Sequence, residues 1–586
     1  MRRVTVILHP GADEDTVMEP KLSSIFALAL TIAAAVCCQA ATPERLSDDV
    51  LAAKDRGIKV TYVGAVLEYE PYVDWKDGGE EIVRENSRII AEYAAEAKTK
   101  GADILVAPEY GLTGLDMHFL QPEEMFSLMQ YVPDPGLGVV PCTTPVDPAN
   151  VVAVRNLSCS AVENKMYIVV GVAEASPCSP DVRNPYNNAM DTSRDCPKSG
   201  YIHYNTQVVF DRNGVVIARY RKKNLFVEPS FYPGLEPDES ALFTTDFNVT
   251  FTLQICFDIA FLHPGWFNVL KYSVHDVAMS TAWIDILPFY LATSVQNAWS
   301  RDMGVNLLVS GYHSPENSKL GSGIYRGLTD REVTYVADVD SGSRLLISEV
   351  DTFASEEEHF LGGSRREHGR SNRSHKPFDA EEHGSRRQKP FDAEEHGSRI
   401  QKPFDAEEHG GRSQNRHHAI YFDDVSKYAN VPLVHDGDAL QQAEACHADG
   451  LCCELSYYPT GKLNYSLVAY SGPVLGDLPS FHIYSQICAV LWCQTNDVRT
   501  CTHVEEGLPE SDTFGAFELS CSFDTICVYP TLVYRNFSLA ENSLYSVSSY
   551  PKLTVSTEGP VSDLLVAGLY GRWYSRDDGW GNSSFC

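Results

Sequence analysis

“KVTYVGAVL” (residues 59–67), “EEIVRENSRIIAEYAAEAKTKGA” (residues 80–102) and “DILVAPEYG” (residues 103–111) follow one another and decide the fold. The first is an apolar run of strand length. The second carries apolar residues at helical spacing until Gly101 stops it. The third is again apolar and ends at Glu109. Further strand-like runs follow in “MYIVVGVAEA”, “TQVVFDRNGVVIARYRK”, “FTLQICFD” and “DVAMSTAW”, and Asn213 with Gly214 marks a hairpin between two of them. This alternation predicts an α/β domain over residues 57–350, with a mainly parallel sheet.

A composition break follows. Residues 355–418 are polar and charged and hold a repeat of period 13, “KPFDAEEHGSRRQ”, “KPFDAEEHGSRIQ” and “KPFDAEEHGGRSQ”. His383, His396 and His409 recur with it and invite a metal reading. One aromatic per repeat offers no core, so the composition favours a solvated, disordered insert. Residues 419–586 hold short strand-like runs broken by Gly, Pro and Asn, which reads as a disulfide-bonded, mostly β domain.

The 586 residues carry a formal charge of −32, which opposes binding to nucleic acid or an anionic membrane surface. “LSSIFALALTIAAAV” (residues 22–36) is too short to span a bilayer comfortably and reads as a signal-peptide core, with cleavage expected after Ala40. Residues 1–40 are therefore taken as an extension and signal, with translation expected from Met18 rather than Met1. The chain end, “WGNSSFC”, lacks the hydrophobic tail of a lipid-anchor signal, so the mature protein is expected to be secreted without a membrane anchor.

Cysteine usage agrees with export. Cys142, Cys159, Cys178 and Cys196, then Cys446, Cys452, Cys453, Cys488, Cys493 and Cys501, have the look of a disulfide framework in each half. Cys521 and Cys527 are close enough to pair, leaving Cys256 and Cys586 as the expected unpaired thiols. Glycan acceptor sequons at Asn156, Asn248, Asn464 and Asn536, with further ones at Asn372 and Asn582, fit the secretory route.

Three polar side chains follow apolar runs in the first domain: Glu109, Lys222 and Cys256. Side chains at strand ends converge on a crevice in α/β proteins. A thiol needs a base to take its proton, and a tetrahedral oxyanion needs fixed positive charge. A carboxylate, an ammonium and a thiol supply these needs. Each residue alone has an ordinary reading: a solvated carboxylate, a basic surface stretch, a disulfide half.

Their order and surroundings resemble the nitrilase superfamily of carbon–nitrogen hydrolases, in its secreted biotinidase and vanin (pantetheinase) branch. “APEYG” is similar to the family's glutamate motif and “ICFDIAFLHP” to its cysteine motif. “ARYRKKNLF” resembles its lysine motif, which selects Lys222 over Lys223. “STAWIDILPF”, “NAWSRDMGVNLLVSGYHSP”, “GSGIY” and “CHADGLCCELSYY” also resemble this branch. The resemblance implies an αββα-sandwich hydrolase domain followed by the β-rich C-terminal domain. It implies Cys256 as nucleophile, Glu109 as general acid and base, Lys222 as oxyanion stabiliser, and no metal or organic cofactor. The implied substrate is a small secondary amide of a vitamin, pantetheine or a biotinyl amide such as biocytin. Trp283, Tyr312 and His313, with Trp299, are the expected pocket residues, and Glu228 is the expected supporting carboxylate. Two other readings stay open. One is a catalytically silent binding protein of the same fold, and the other assigns the biological role to the repeat insert.

Overall fold

The computed structural model describes residues 58–146, 150–178, 196–329, 333–355, 418–437, 439–460, 464–475, 483–504, 513–525, 527–548, 552–557 and 559–577. All belong to one compact unit that begins at Ile58. The signal run and both start methionines, the 13-residue repeats with their histidines, Asn372, Asn582 and Cys586 lie outside the described residues.

Two six-stranded sheets face each other among the described residues. The first runs, in spatial order, Arg344–Phe353, Lys59–Glu68, Ile104–Val106, Tyr167–Pro177, Tyr201–Phe210 and Val216–Arg221. The second runs Thr334–Tyr335, Gly323–Arg326, Asn306–Ser310, Asp276–Ser280, Thr250–Ile255 and Leu242–Thr244. Side chains alternate between the faces of a strand, and here both faces are covered. Val66, Ile104, Val106 and Val169 meet Leu253, Ala278 and Leu308 between the sheets. Ala65, Leu67, Leu105 and Val170 instead meet the helices Gly79–Thr99 and Val152–Asn164 on the outside. The Ala292–Met303 helix covers the second sheet with Ala298 and Trp299, which completes an αββα sandwich.

The strands are less parallel than expected. Parallel pairing is confined to the centre of each sheet, Lys59–Glu68 with Ile104–Val106 with Tyr167–Pro177, and Thr250–Ile255 with Asp276–Ser280 with Asn306–Ser310. Every edge pairing is antiparallel. A tight turn such as that at Asn213 and Gly214 returns the chain antiparallel, and a crossover helix is needed to do otherwise.

Residues 418–577 add two antiparallel sheets. One runs Ala429–Pro432, Tyr465–Val474, Ile483–Trp492, Leu564–Arg572 and Cys527–Tyr534; the other is built on Gln441–Cys446, Cys452–Thr460, Thr513–Ser522, Lys552–Thr557 and Tyr545–Val547. Disulfides join Cys142 to Cys159, Cys178 to Cys196, Cys446 to Cys452, Cys453 to Cys488 and Cys493 to Cys501. The expected Cys521–Cys527 bridge is not formed. Cys521 sits directly across from Cys453 on the neighbouring strand, while Cys527 begins a strand of the other sheet. Sequence proximity misleads here because the intervening turn carries the chain from one sheet to the next.

The β-rich region is tied to the sandwich. His418 Nε2 meets a carboxylate oxygen of Asp285 at 3.0 Å, and Tyr421–Phe422 pairs with Ile286–Leu287. Among the sequons, Asn248 and Asn536 are exposed, Asn464 is half-buried, and Asn156 donates its side-chain amide to Ser87 Oγ at 2.9 Å. Among the described residues no helix is long and apolar enough to cross a membrane.

Candidate active site

Glu109 follows the Ile104–Val106 strand by three residues and is 2% exposed. Its position depends on Gly171 of the adjacent strand. A Cβ there would lie 2.9 Å from the Glu109 Cα and 2.9 Å from the Pro108 carbonyl oxygen, so a side chain at 171 would push the turn away. Glu109 Oε1 accepts from Lys222 Nζ at 2.8 Å and from Asn205 Nδ2 at 2.7 Å, and Oε2 accepts from the Ala282 N–H at 2.8 Å.

Lys222 is the first residue past the Val216–Arg221 strand and is 1% exposed. Its ammonium also lies 3.1 Å from Glu228 Oε2. Glu228 Oε1 accepts from Asn205 Nδ2 at 2.7 Å and from the Tyr110 hydroxyl, and Oε2 accepts from the Phe226 N–H at 2.9 Å. One ammonium thus serves two buried carboxylates, and Asn205 bridges them. Burial alone would pull the Lys222 ammonium down, but Glu109, Glu228 and Cys256 overcome it and hold the group above its ordinary value. Burial pushes Glu228 up, yet Lys222 and the Tyr110 hydroxyl leave it below the usual carboxylate range.

The third side chain comes from the facing sheet. Thr250–Ile255 lies parallel to Asp276–Ser280, and Ile255 pairs with Ser280, which sets Cys256 beside Thr281 and Ala282. Cys256 opens a buried 3-10 turn, Cys256–Ala260, with φ +47°, in the left-handed region that β-carbons disfavour. Asp258 fixes this turn: its carboxylate accepts from Ile255 N at 2.9 Å, Tyr220 Oη at 2.9 Å, Asn224 N at 3.1 Å and Asn224 Nδ2 at 2.8 Å. The cysteine turn is therefore bonded to the segment that carries Lys222. Burial raises Asp258 to about 6 against the pull of Lys222 and these donors. Burial and the Glu109 charge push the Cys256 thiol well up, with Lys222 opposing.

Of the expected pocket residues, Tyr312 lies nearest in bonding: its hydroxyl donates to the Tyr110 carbonyl at 2.9 Å. Trp283 follows Ala282, is buried, and donates Nε1–H to the Tyr290 carbonyl at 2.7 Å. Trp299 is buried under the helix of the second sheet, and its Nε1 has no partner among the described residues. His313 is joined to Glu68 at 2.7 Å and takes no part in the cluster's bonds. The sequence reading missed Tyr110, Asn205 and Ala282. Tyr110 stood inside the quoted glutamate motif. Asn205, one of two amides with Gln207 in the strand “YIHYNTQVVF”, was the other available signal.

The carboxylates here are spent on an ammonium and on N–H and O–H donors, which leaves the arrangement suited to proton transfer and anion stabilisation. Groupings of metal-ligand type among the described residues are Cys453 with Cys488 and Cys521, and Glu444 with Cys446 and Cys452; neither includes a residue of this site.

Residues 83–272 match the family model for carbon–nitrogen hydrolase, and residues 420–577 match that for the vanin C-terminal domain. The pantetheinase of Sus scrofa is 29% identical over 506 residues, covering 86% of this chain and 85% of its own. The biotinidase of Rattus norvegicus is 26% identical over 502 residues, covering 85% of this chain and 88% of its own. Among solved structures, an amidase from Nesterenkonia sp. AN1 aligns with a TM-score of 0.33 at 16% identity, over 49% of this chain and 92% of that one.

Proposed function

Because this chain belongs to the carbon–nitrogen hydrolases and carries a vanin C-terminal domain, we propose that it cleaves the secondary amide of a vitamin derivative through a cysteine thioester. The substrate is pantetheine, giving pantothenate and cysteamine, or biocytin, giving biotin and lysine. The observation that carries this reading is the shared ammonium of Lys222 between Glu109 and Glu228, beside a cysteine held in a left-handed turn.

In the proposed sequence Glu109 takes the thiol proton as Cys256 attacks the amide carbonyl. Burial and the Glu109 charge disfavour a free thiolate, so Glu109 takes the proton as the carbon–sulfur bond forms. Lys222, with the backbone N–H after Cys256, stabilises the oxyanion; its ammonium stays charged because two carboxylates face it. The acid formed on Glu109 protonates the departing amine. Glu109 then draws a proton from water as it attacks the thioester, and Cys256 leaves as the thiol. Glu228, Asn205 and Tyr110 hold Lys222 and Glu109 in place. The same reading takes the protein as secreted, supported by five disulfides and the sequons.

The test measures cysteamine from pantetheine and lysine from biocytin, for the wild type beside Cys256→Ala. Release of either amine by the wild type and none by the variant is expected. Silence on both from folded protein would overturn the proposal.

A further inference from the structure

We infer that Arg572, the last residue of the Leu564–Arg572 strand, is a positioning residue for the turn that carries Cys256. The inference rests on the reading of Cys256 as the nucleophile. Arg572 is 1% exposed and reaches out of the β-rich region into the sandwich, where its Nε–H donates to the Ala260 carbonyl at 2.9 Å. Ala260 is the last residue of the Cys256–Ala260 turn.

The guanidinium is aimed from behind. Nη2 donates to Asp577 Oδ2 at 2.6 Å, and Nη1 to Asp577 Oδ1 at 3.2 Å and to the Tyr484 carbonyl at 2.5 Å. Asp577 also accepts from the Tyr484 N–H at 2.8 Å. A planar fork held by a carboxylate on one edge leaves its Nε–H direction fixed. The buried cation is neutralised by Asp577, so the hydrogen bond to Ala260 is not made at the expense of an unpaired charge.

The turn needs this hold. A non-glycine residue in the left-handed region persists only where its surroundings over-determine it. Asp258 anchors the start of the turn from within the sandwich. At its far end Ile259 and Ala260 are buried beside a small cavity that Trp299, Tyr570 and Arg572 also line, and the Phe261 N–H donates to the Asp258 carbonyl at 3.0 Å. Arg572 supplies the side-chain anchor that reaches this end from the β-rich region. A contact between the two regions away from the cysteine turn is the bond from Arg301, on the Ala292–Met303 helix, to the Tyr545 hydroxyl. The β-rich region is thus part of the apparatus that aims the nucleophile, as well as a domain docked beside it.

Arg572→Lys keeps a cation for Asp577 and loses the fork that reaches Ala260; Tyr545→Phe removes only the docking bond from Arg301. Three quantities are read for each full-length variant: kcat and KM on whichever amide the wild type cleaves, the rate at which iodoacetamide alkylates Cys256, and the melting temperature. For Arg572→Lys, kcat is expected to fall roughly ten- to a hundredfold with KM unchanged, the size that a displacement of about 1 Å produces. Alkylation of Cys256 is expected to slow with it. Tyr545→Phe is expected to lower the melting temperature alone. Wild-type kcat and alkylation in folded Arg572→Lys would overturn the inference and leave Arg572 as a docking residue. Where that variant does not fold, Asp577→Asn, which removes the carboxylate that aims the guanidinium, is read by the same rates. Should the wild type cleave neither amide, the proposed function fails, while the alkylation rates still decide the role of Arg572.

Discussion

Lys222 holds the site's charge in balance. Two carboxylates and one ammonium are buried together, and removing one partner of a buried ion pair typically costs roughly 3–5 kcal/mol because a charge is left without its counterion. Lys222→Met keeps the chain length and apolar stem while deleting the charge. In the wild type, Glu228 lies below its ordinary pKa, so its contribution to stability is present above the unfolded carboxylate pKa and lost as pH falls through the lower, folded value. In the variant the sign reverses. Without the ammonium, burial raises the Glu228 carboxyl, so the penalty is largest near about pH 8 and shrinks toward about pH 5 as it takes a proton. The gap in melting temperature between wild type and Lys222→Met is therefore expected to narrow on acidification, with activity abolished throughout. A gap that stays constant with pH would show that the ammonium does not neutralise this pair.

Strands and the turns at their ends decide where such residues point. Gly171→Ala tests this at one place: the added methyl meets the backbone of Pro108 and Glu109, which cannot swing aside as a side chain can. A shift of about 1 Å in Glu109 is expected to lower kcat roughly a hundredfold. Circular dichroism is expected to keep the native spectrum, and wild-type kcat from the variant would rule the contact out as a constraint. The central strands were legible because they are buried on both faces and so read as apolar runs, as at Ala65, Val66 and Leu67. The cysteine, lysine and glutamate positions were legible from motifs a few residues long. Asn205 was not, because its service to Glu109 spans 96 residues and depends on which face the register with Ala173 gives it. Strand direction was hidden for the same reason, and so was Arg572, which meets its turn across 312 residues.

At the scale of the molecule, the site is assembled by the seam between two sheets. Glu109 and Lys222 leave the ends of strands in the first sheet, and Cys256 leaves the end of a strand in the second. Their spacing is therefore set by how the sheets register on each other. Asp276 is one of the polar pins in that seam. From the second sheet it accepts from Tyr62 Oη of the first at 2.8 Å, from the Thr352 hydroxyl of the first, and from Asn306 Nδ2 of its own sheet at 3.0 Å. Burial raises its carboxyl to about 6 despite these donors. A folded-state pKa above the unfolded one contributes stability below about pH 4, and that contribution is lost as pH rises through about 6, amounting to about 3 kcal/mol. Asp276→Asn keeps the shape, accepts from Tyr62 and Asn306 through its oxygen, and offers its N–H to the Thr352 hydroxyl, which can rotate to accept. Its stability carries no such loss. Measured by denaturant unfolding, the difference between variant and wild type is expected to move in favour of the variant by up to about 3 kcal/mol between about pH 4 and about pH 7. A difference independent of pH would mean that Asp276 ionises in the folded seam as readily as in water. The seam would then be wetter than its apolar lining implies, and less able to hold the two halves of the site in register.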